Sequence, residues 1–247
     1  MRGRYCLYIR RKKMSTYNYK LSTYPNYSEF QLLELYPTCN ITYNRGNEIE
    51  DFFREDFLVW QDFFCNEYKP PEEVKILLFH CCSWSKPYDF SYIVNPIRKI
   101  AKKYKQVHRA IISNVGVVPY EYQMNATFCT YDFPPVYDCG KMDDNEVGKM
   151  RKKSINILYE RIYRYLKAQK NNYKLVITYS VPQQYSMAHL VGLACKELDI
   201  PFVNGVTKEN YQKYRNKNYE DTAEIYIEKE LLEDLDLLLE KNCVRIK

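Results

Sequence analysis

The sequence predicts an α/β protein whose mainly parallel sheet carries helices on both faces, in three layers. Short apolar segments alternate with amphipathic segments four times from residue 74 onward, which is typical of parallel strands joined by helices. Hydrophobic residues make up 46% of the 247 residues, enough for a substantial core. We therefore expect an α/β core domain over residues 49–247, preceded by a small N-terminal extension, residues 1–48.

The core is expected to begin with an amphipathic helix over residues 49–68. Four aromatic residues recur there at helical spacing and predict one buried face: Phe53, Phe57, Trp60 and Phe64. Two prolines, at positions 70 and 71, end this helix. The continuous apolar run that follows, Val74 to Phe79, predicts the first buried strand.

The remaining elements alternate between strand and helix. Asn95-Pro96 marks a helix start, because asparagine is a good N-cap and proline suits the first helical position. The elements predicted after it are strand 107–113, helix 143–170, strand 174–180, helix 187–198, strand 201–204 and a last helix around 231–239. The pattern also indicates a short strand at 126–130 and an edge strand at 222–227.

Polar side chains follow three of the predicted strands. The first strand runs into Cys82 and Lys86, the second ends at Ser113 and Asn114, and Gln183 follows the third. Because the carboxyl ends of parallel strands meet at one edge of a sheet, and ligands bind beyond that edge, these side chains predict a binding site there.

Cys82 is the candidate nucleophile of this edge. A thiolate becomes reactive when positive charge lowers its pKa, and Lys86 follows four residues later; the alternative is a small buried cysteine. Lys86 and Tyr88 flank a rigid proline, an arrangement that suits an anionic or planar ligand, or else forms a turn with a solvated lysine. Asp132 is a candidate general base, or a carboxylate that caps a turn.

Positive charge is concentrated in three segments, residues 1–13, 98–109 and 151–167, in a chain of net charge +6. Clustered cations suit a phosphate backbone, whereas a solvated helix face is the other explanation. The second segment supplies the candidate nucleic-acid-binding residues Arg98, Lys99, Lys102, Lys103 and Lys105.

Several kinds of site are not indicated. The nine cysteines include no C-x-x-C pair, and His80, His108 and His189 lack metal-ligand spacing, so we expect no metal and a reducing cytoplasm. Seven glycines form no phosphate-binding loop, so no cofactor is expected. There is no apolar run that could span a bilayer, and residues 1–13 lack the apolar core of a signal peptide, so a membrane partner is not expected.

The segment after the first strand resembles the core domain of archaeosine synthase, an archaeal tRNA-modifying enzyme. The signature of that family reads P-C-x-x-x-K-P-Y-x-x-S-x-x-H. Five positions match it in register: Cys82, Lys86, Pro87, Tyr88 and Ser91. Cys81 and Val94 stand where the family has proline and histidine. Similar segments lie on both sides: Trp60 and residues 68–71 before the signature, residues 113–119 and Tyr131-Asp132 after it.

The resemblance implies an activity and its partners. Archaeosine synthase joins free lysine to the nitrile of 7-cyano-7-deazaguanine in tRNA, forming an amidine without ATP, and its core is similar in fold to uracil-DNA glycosylases. It implies Cys82, Lys86 and Asp132 as catalytic residues. The candidate substrate-binding residues are Tyr88, Ser91, Ser113, Asn114 and Gln183. The amine either adds directly to the nitrile with acid–base help, or displaces a cysteine that has added first.

The alternative is a core domain without catalysis that binds tRNA or a partner subunit. Val94 at the family's histidine position favours this interpretation, as does the expected lack of the two RNA-handling domains that flank the family's core. A separate RNA-binding or partner subunit would then supply what those domains do.

Overall fold

The structure is a computed structural model that describes residues 44–45, 49–83, 85–129, 131–132 and 146–246. Its strands are β1 Asn44–Arg45, β2 Ile76–Cys81, β3 Val107–Ser113, β4 Gly116–Pro119, β5 Tyr131–Asp132, β6 Leu175–Tyr179 and β7 Phe202–Asn204. Five of them form one sheet in the order β4-β3-β2-β6-β7, and β1 pairs with β5 in a separate parallel ribbon.

Seven α-helices are found in the described ranges. They are α1 Glu55–Asn66, α2 Val94–Ala101, α3 Ala126–Cys129, α4 Glu146–Gln169, α5 Met187–Leu198, α6 Lys208–Tyr214 and α7 Lys229–Arg245. Short 3-10 helices cover Ile49–Phe53, Tyr88–Phe90, Tyr120–Tyr122 and Thr222–Ile227.

Strand β2 is the centre of the sheet. It pairs in parallel with β3 on one side and β6 on the other, and all six of its residues are buried. Burial on both faces explains why its sequence is apolar rather than alternating. Strand β7 continues the parallel pairing beyond β6, while β4 folds back antiparallel to β3. The predicted α/β class with a mainly parallel sheet is therefore confirmed.

Helices cover both faces of this sheet. On one face, Phe79 of β2 packs against Tyr165 of α4, with ring centroids 6.3 Å apart, and α4 packs in turn on α1 and α5. On the other face, Tyr179 of β6 contacts Tyr226 at 5.8 Å, beside the packed pair α2 and α7. Tyr179 pairs with His80, the neighbour of Phe79 on β2, and neighbouring residues of a strand point to opposite faces of the sheet. Phe79 and Tyr179 therefore face different helical layers, and the sheet is the middle one of three.

The edge strand β4 was not predicted from the sequence. Gly116 begins it with φ +116°, a conformation that favours glycine. Gln61 of α1, itself buried, lies along the outer side of β4. Its Nε2 donates to the Val117 carbonyl at 3.0 Å, and the Val117 amide donates to its Oε1 at 3.2 Å. The amide of Gln61 thus takes the place of a further strand.

Two of the predicted strands are wrong. Residues 126–129 form the short helix α3, because the Asn125 side chain accepts a hydrogen bond from the Thr127 amide at 3.0 Å and turns the chain. Residues 222–227 form a 3-10 helix, which Asp221 caps by accepting from the Ala223 amide at 2.8 Å. Both cases are local polar contacts that outweigh β-propensity.

Phe53 was predicted inside but is 43% exposed. Arg54 interrupts the expected helix, so the 3-10 turn Ile49–Phe53 is out of phase with α1, whereas Phe57, Trp60 and Phe64 are buried as predicted.

The predicted extension, residues 1–48, lies outside the described residues apart from 44–45, and so does its basic segment 1–13. In the described ranges, no helix is long and apolar enough to cross a membrane.

Candidate active site at the carboxyl edge of the sheet

A cavity of about 470 Å3 lies beyond the carboxyl ends of β2, β3 and β6. Its floor comes from the turns after these strands, with Cys81, Cys82, Asn114 and Ser180 among the lining residues. Residues 207–227, which we call the outer wall, close the opposite side. The cavity therefore occupies the crevice where α/β sheets bind their ligands.

Four sequence-predicted residues line this cavity together: Cys82, Lys86, Asn114 and Gln183. Three others are buried behind its surface. Ser91 accepts hydrogen bonds from the Ser83 hydroxyl at 2.6 Å and from the Ile93 amide at 3.2 Å, so it shapes the loop after β2, residues 82–91, which we call the signature loop. Tyr88 and Ser113 are fully buried, and neither is among the residues that line the cavity.

Tyr131 connects the buried residues to the cavity. Its ring lies 4.6 Å from Lys86 Nζ and lines the cavity wall. Its hydroxyl is hydrogen-bonded to the Tyr88 hydroxyl at 2.5 Å and to the Ser113 hydroxyl. Burial, with a further contribution from Cys82, raises the pKa of Tyr131 and keeps the phenol protonated. Asp132 follows on β5, but its side chain lies outside what the structure describes.

The two adjacent cysteines differ in their surroundings. Burial raises the pKa of Cys81, and the neighbouring Cys82 raises it further, so Cys81 remains a thiol. Cys82 is half-buried, and its amide donates to the Ile112 carbonyl at 3.0 Å, which continues the pairing of β2 with β3. This backbone bond fixes Cys82 at the end of the sheet, with Lys86 on the same loop.

A buried ion pair supports the loop from below. Arg109 of β3 donates to both carboxylate oxygens of Asp89 at 2.8 and 3.0 Å, and the two side chains are only 4% and 13% exposed. Burial acts to raise the pKa of Asp89, but the hydrogen bonds from Arg109 outweigh it and hold that pKa below its ordinary value. The 3-10 turn Tyr88–Phe90, which follows Lys86, is thereby tied to the sheet.

His80 lies under the same turn and is fully buried. Burial and the nearby Arg109 charge lower the pKa of His80 to about 4. The ring is therefore neutral at pH 7, and its Nδ1 lies 2.9 Å from the Cys81 carbonyl, so Nδ1 carries the proton that it donates. His80 is a structural side chain of β2 and does not line the cavity.

The outer wall was missed by sequence reasoning. It contributes Tyr211, Arg215, Tyr219, Asp221 and Tyr226 to the cavity lining. Its segment from 208 to 219 is rich in tyrosine and lysine, which is the one sequence signal that pointed to it. Within the described residues, Asp221 is the single carboxylate among the lining side chains, against the cations Lys86, Arg215 and Lys217.

Contacts fasten this wall to the rest of the core. The Tyr226 hydroxyl accepts from the Val181 amide at 3.3 Å, and the Gln183 side chain is hydrogen-bonded to the Tyr211 hydroxyl. On the outside, Lys213 pairs with Glu230 of α7 at 2.5 Å. The wall thus spans from the turn after β6 to the last helix.

The candidate nucleic-acid-binding residues lie on and after α2. Four of them are exposed: Lys99, Lys102, Lys103 and Lys105. Lys103 forms an ion pair with Asp236 of α7, and Arg98 donates to the Asn95 side chain at 2.8 Å. Helix α2 begins beside the cavity and runs away from it over eight residues, about 12 Å. Most of this charge therefore lies away from the cavity, towards the opposite edge of the sheet.

The third basic segment is partly internal. Arg161 is buried, and it donates to the Val115 carbonyl at 2.8 Å and to the Phe52 carbonyl. Arg164 pairs with Asp62 at 3.3 Å. Arg161 thus holds α4 against the start of β4 from inside the protein, whereas Arg164 is partly exposed and is paired with a carboxylate of α1. Across the residues that the structure describes, no group of three His, Cys, Asp or Glu could hold a metal ion.

Comparison with models of known protein families finds no match, and comparison with curated proteins finds none either. Among solved structures, the chain is similar to the crystal structure of AF0587, a protein of unknown function, at 18% sequence identity and a TM-score of 0.46. The match covers 74% of this chain, and this chain spans 50% of the length of that one. A likeness this distant carries no inference about function.

Proposed function

We propose that the protein modifies tRNA as archaeosine synthase does, by adding the amine of lysine to the nitrile of 7-cyano-7-deazaguanine. The observation that carries this proposal is the meeting of separate parts of the family pattern at one cavity. Cys82 and Lys86 come from the signature loop, and Tyr131 comes from the Tyr-Asp pair 45 residues after Lys86. Residues that match a family by sequence and then meet around a cavity support a shared site.

The cavity suits a planar base that carries phosphate. In its lining, the ammonium group of Lys86 lies over the ring of Tyr131. Asn114 and Gln183 add side-chain amides to the lining. Such amides can pair with the polar edge of a base, and tyrosine rings stack on its face. Arg215 is exposed at the same cavity and, within the described ranges, forms no ion pair, so it is available to a phosphate group.

Two routes to the amidine fit the geometry. In the first, the Cys82 thiolate adds to the nitrile carbon, one π bond of the nitrile breaks and its nitrogen takes a proton; the amine then adds and the thiolate leaves. In the second, the amine adds directly. In both, the ammonium group of Lys86, which lines the cavity, would stabilise negative charge that develops on the nitrile nitrogen.

A binding module without catalysis is the second candidate. The observation that favours it is Val94, which stands at the family's histidine position and is fully buried in the core at the start of α2. A chain without that histidine would retain the loop and the cavity, and would hold the modified base or tRNA without changing it.

The deciding experiment incubates the protein with lysine and with tRNA that carries 7-cyano-7-deazaguanine, followed by digestion and mass spectrometry of the nucleosides. The proposal expects a nucleoside heavier by one lysine. Cys82→Ser tests the candidate nucleophile, and Cys81→Ser is its matched control, because it removes the adjacent thiol at the end of β2. Binding of the tRNA without any product, at enzyme concentrations equal to substrate, would favour the binding module.

A further inference from the structure

The outer wall carries an acidic side chain that the catalytic scheme above does not use. Asp221 is the one carboxylate among the described residues that line the cavity, and the cations of the lining outnumber it three to one. An anionic ligand alone would gain nothing from a carboxylate at this place. A second ligand with positive charge, bound in the same cavity, would be complementary to it.

Asp221 is held in a fixed position. One of its oxygens accepts the Ala223 amide at 2.8 Å and caps the 3-10 helix Thr222–Ile227. In the described part of the chain, no hydrogen bond engages its other oxygen. A carboxylate fixed by one oxygen and open at the other is pre-organised to accept a hydrogen bond from a ligand.

The charge of Asp221 reaches the floor of the cavity. Burial and the adjacent Cys82 are the main reasons that the pKa of Cys81 is raised, and the Asp221 carboxylate contributes to the same effect. Asp221 and the Cys81-Cys82 segment line the same cavity. Tyr219 and Tyr226 line the cavity on the same wall, and aromatic rings favour an ammonium group.

We propose that Asp221 binds the ammonium group of the amine substrate and accepts its proton as the amine attacks. This inference rests on the proposed function and names the residue that handles the lysine. The ammonium gives one proton to the carboxylate, and the neutral amine forms the C–N bond while one π bond of the nitrile breaks. A second N–H proton moves to the former nitrile nitrogen, and the proton on Asp221 then converts the amidine to an amidinium. The sum is one ammonium and one nitrile giving one amidinium, with no other reactant.

The test compares lysine with norleucine, the same amino acid without the side-chain ammonium group, by calorimetric titration of the protein without tRNA. The wild type should bind lysine more tightly than norleucine. Asp221→Asn should lower the affinity for lysine about tenfold or more, since a hydrogen bond between charged groups is lost, and should leave the affinity for norleucine unchanged. Asparagine is as good a helix cap as aspartate, so the wall should keep its fold, and thermal unfolding checks this.

Glu220→Gln is the matched control, because it removes a charge from the adjacent exposed residue, which is not part of the cavity lining. Equal loss of lysine affinity in this control, unchanged lysine affinity in Asp221→Asn, or no preference of the wild type for lysine over norleucine would each overturn the proposal. Selective lysine binding without amidine formation would instead refute the proposed function and leave the ammonium site standing. If amidine forms but the KM for lysine is unchanged in Asp221→Asn, the ammonium site is refuted and the proposed function stands.

Discussion

The ion pair between Arg109 and Asp89 should dominate the stability of the signature loop. Replacing Asp89 with alanine leaves the guanidinium of Arg109, 4% exposed, without its carboxylate beneath the loop. The ring of Tyr120, 4.9 Å from this guanidinium, remains as its partner and offsets only a small part of the loss.

The magnitude follows from the burial of both partners. Removing one member of a buried, doubly hydrogen-bonded pair costs about 3–5 kcal/mol. Because Asp89 keeps 13% exposure, we expect the lower end, about 3 kcal/mol, as a decrease in the free energy of unfolding by urea at pH 7. Adding Arg109→Met removes the stranded charge, so the double variant should be more stable than Asp89→Ala alone.

The exposed pair Arg164–Asp62 is the internal control. Its side chains are 37% and 31% exposed, so Asp62→Ala should cost less than about 1 kcal/mol. If Asp89→Ala costs no more than Asp62→Ala, or if the double variant is less stable than Asp89→Ala, then the buried pair does not anchor the loop and the reasoning is wrong.

Three further predictions concern the site, the nucleic acid and the pH dependence. If the thiolate attacks first, Cys82→Ser should abolish amidine formation, measured by mass spectrometry, and leave tRNA binding intact, measured by filter binding. Full activity of Cys82→Ser would exclude the thiolate route and leave direct addition of the amine. Charge reversal of three exposed lysines should weaken tRNA binding and flatten its dependence on log salt by about one per lost phosphate contact, whereas an unchanged slope would mean that the face is merely solvated. These lysines are Lys99, Lys102 and Lys105. The pKa of His80 is 6.5 in the unfolded state and about 4 in the folded state, so the unfolded state takes up the proton first as the pH falls. The free energy of unfolding should therefore decrease as pH falls from 6.5 to about 4. An equal decrease in His80→Asn would contradict this.

The central strands were predictable because burial on both faces leaves a continuous apolar run. The sequence placed β3 at Val107–Ser113, the same bounds as the structure, and placed β2 two residues early. The floor of the cavity was predictable for a related reason: Cys82, Asn114 and Gln183 follow strands that are parallel, and parallel strands bring their ends together.

The outer wall was not predictable, because its position depends on packing between distant segments. The pattern at 222–227 resembles a strand, yet Asp221 turns it into a 3-10 helix through one hydrogen bond. The roles of Ser91 and Ser113 were also beyond the sequence. A serine at the end of a strand can face a ligand or a neighbouring hydroxyl, and only the fold shows that Ser113 contacts Tyr131.

The pairing of Gln61 with Val117 has a consequence for how the protein behaves at high concentration. The outermost strand of an open sheet can recruit a strand from another copy, the first step of many aggregates. Here the amide of Gln61 occupies the donor and acceptor of Val117, while the strand at the other edge, β7, is only three residues long. Gln61→Leu would keep the bulk but leave both backbone groups of Val117 without their partners, so light scattering of concentrated samples should rise. Unchanged scattering would mean that β4 is protected by its short length alone.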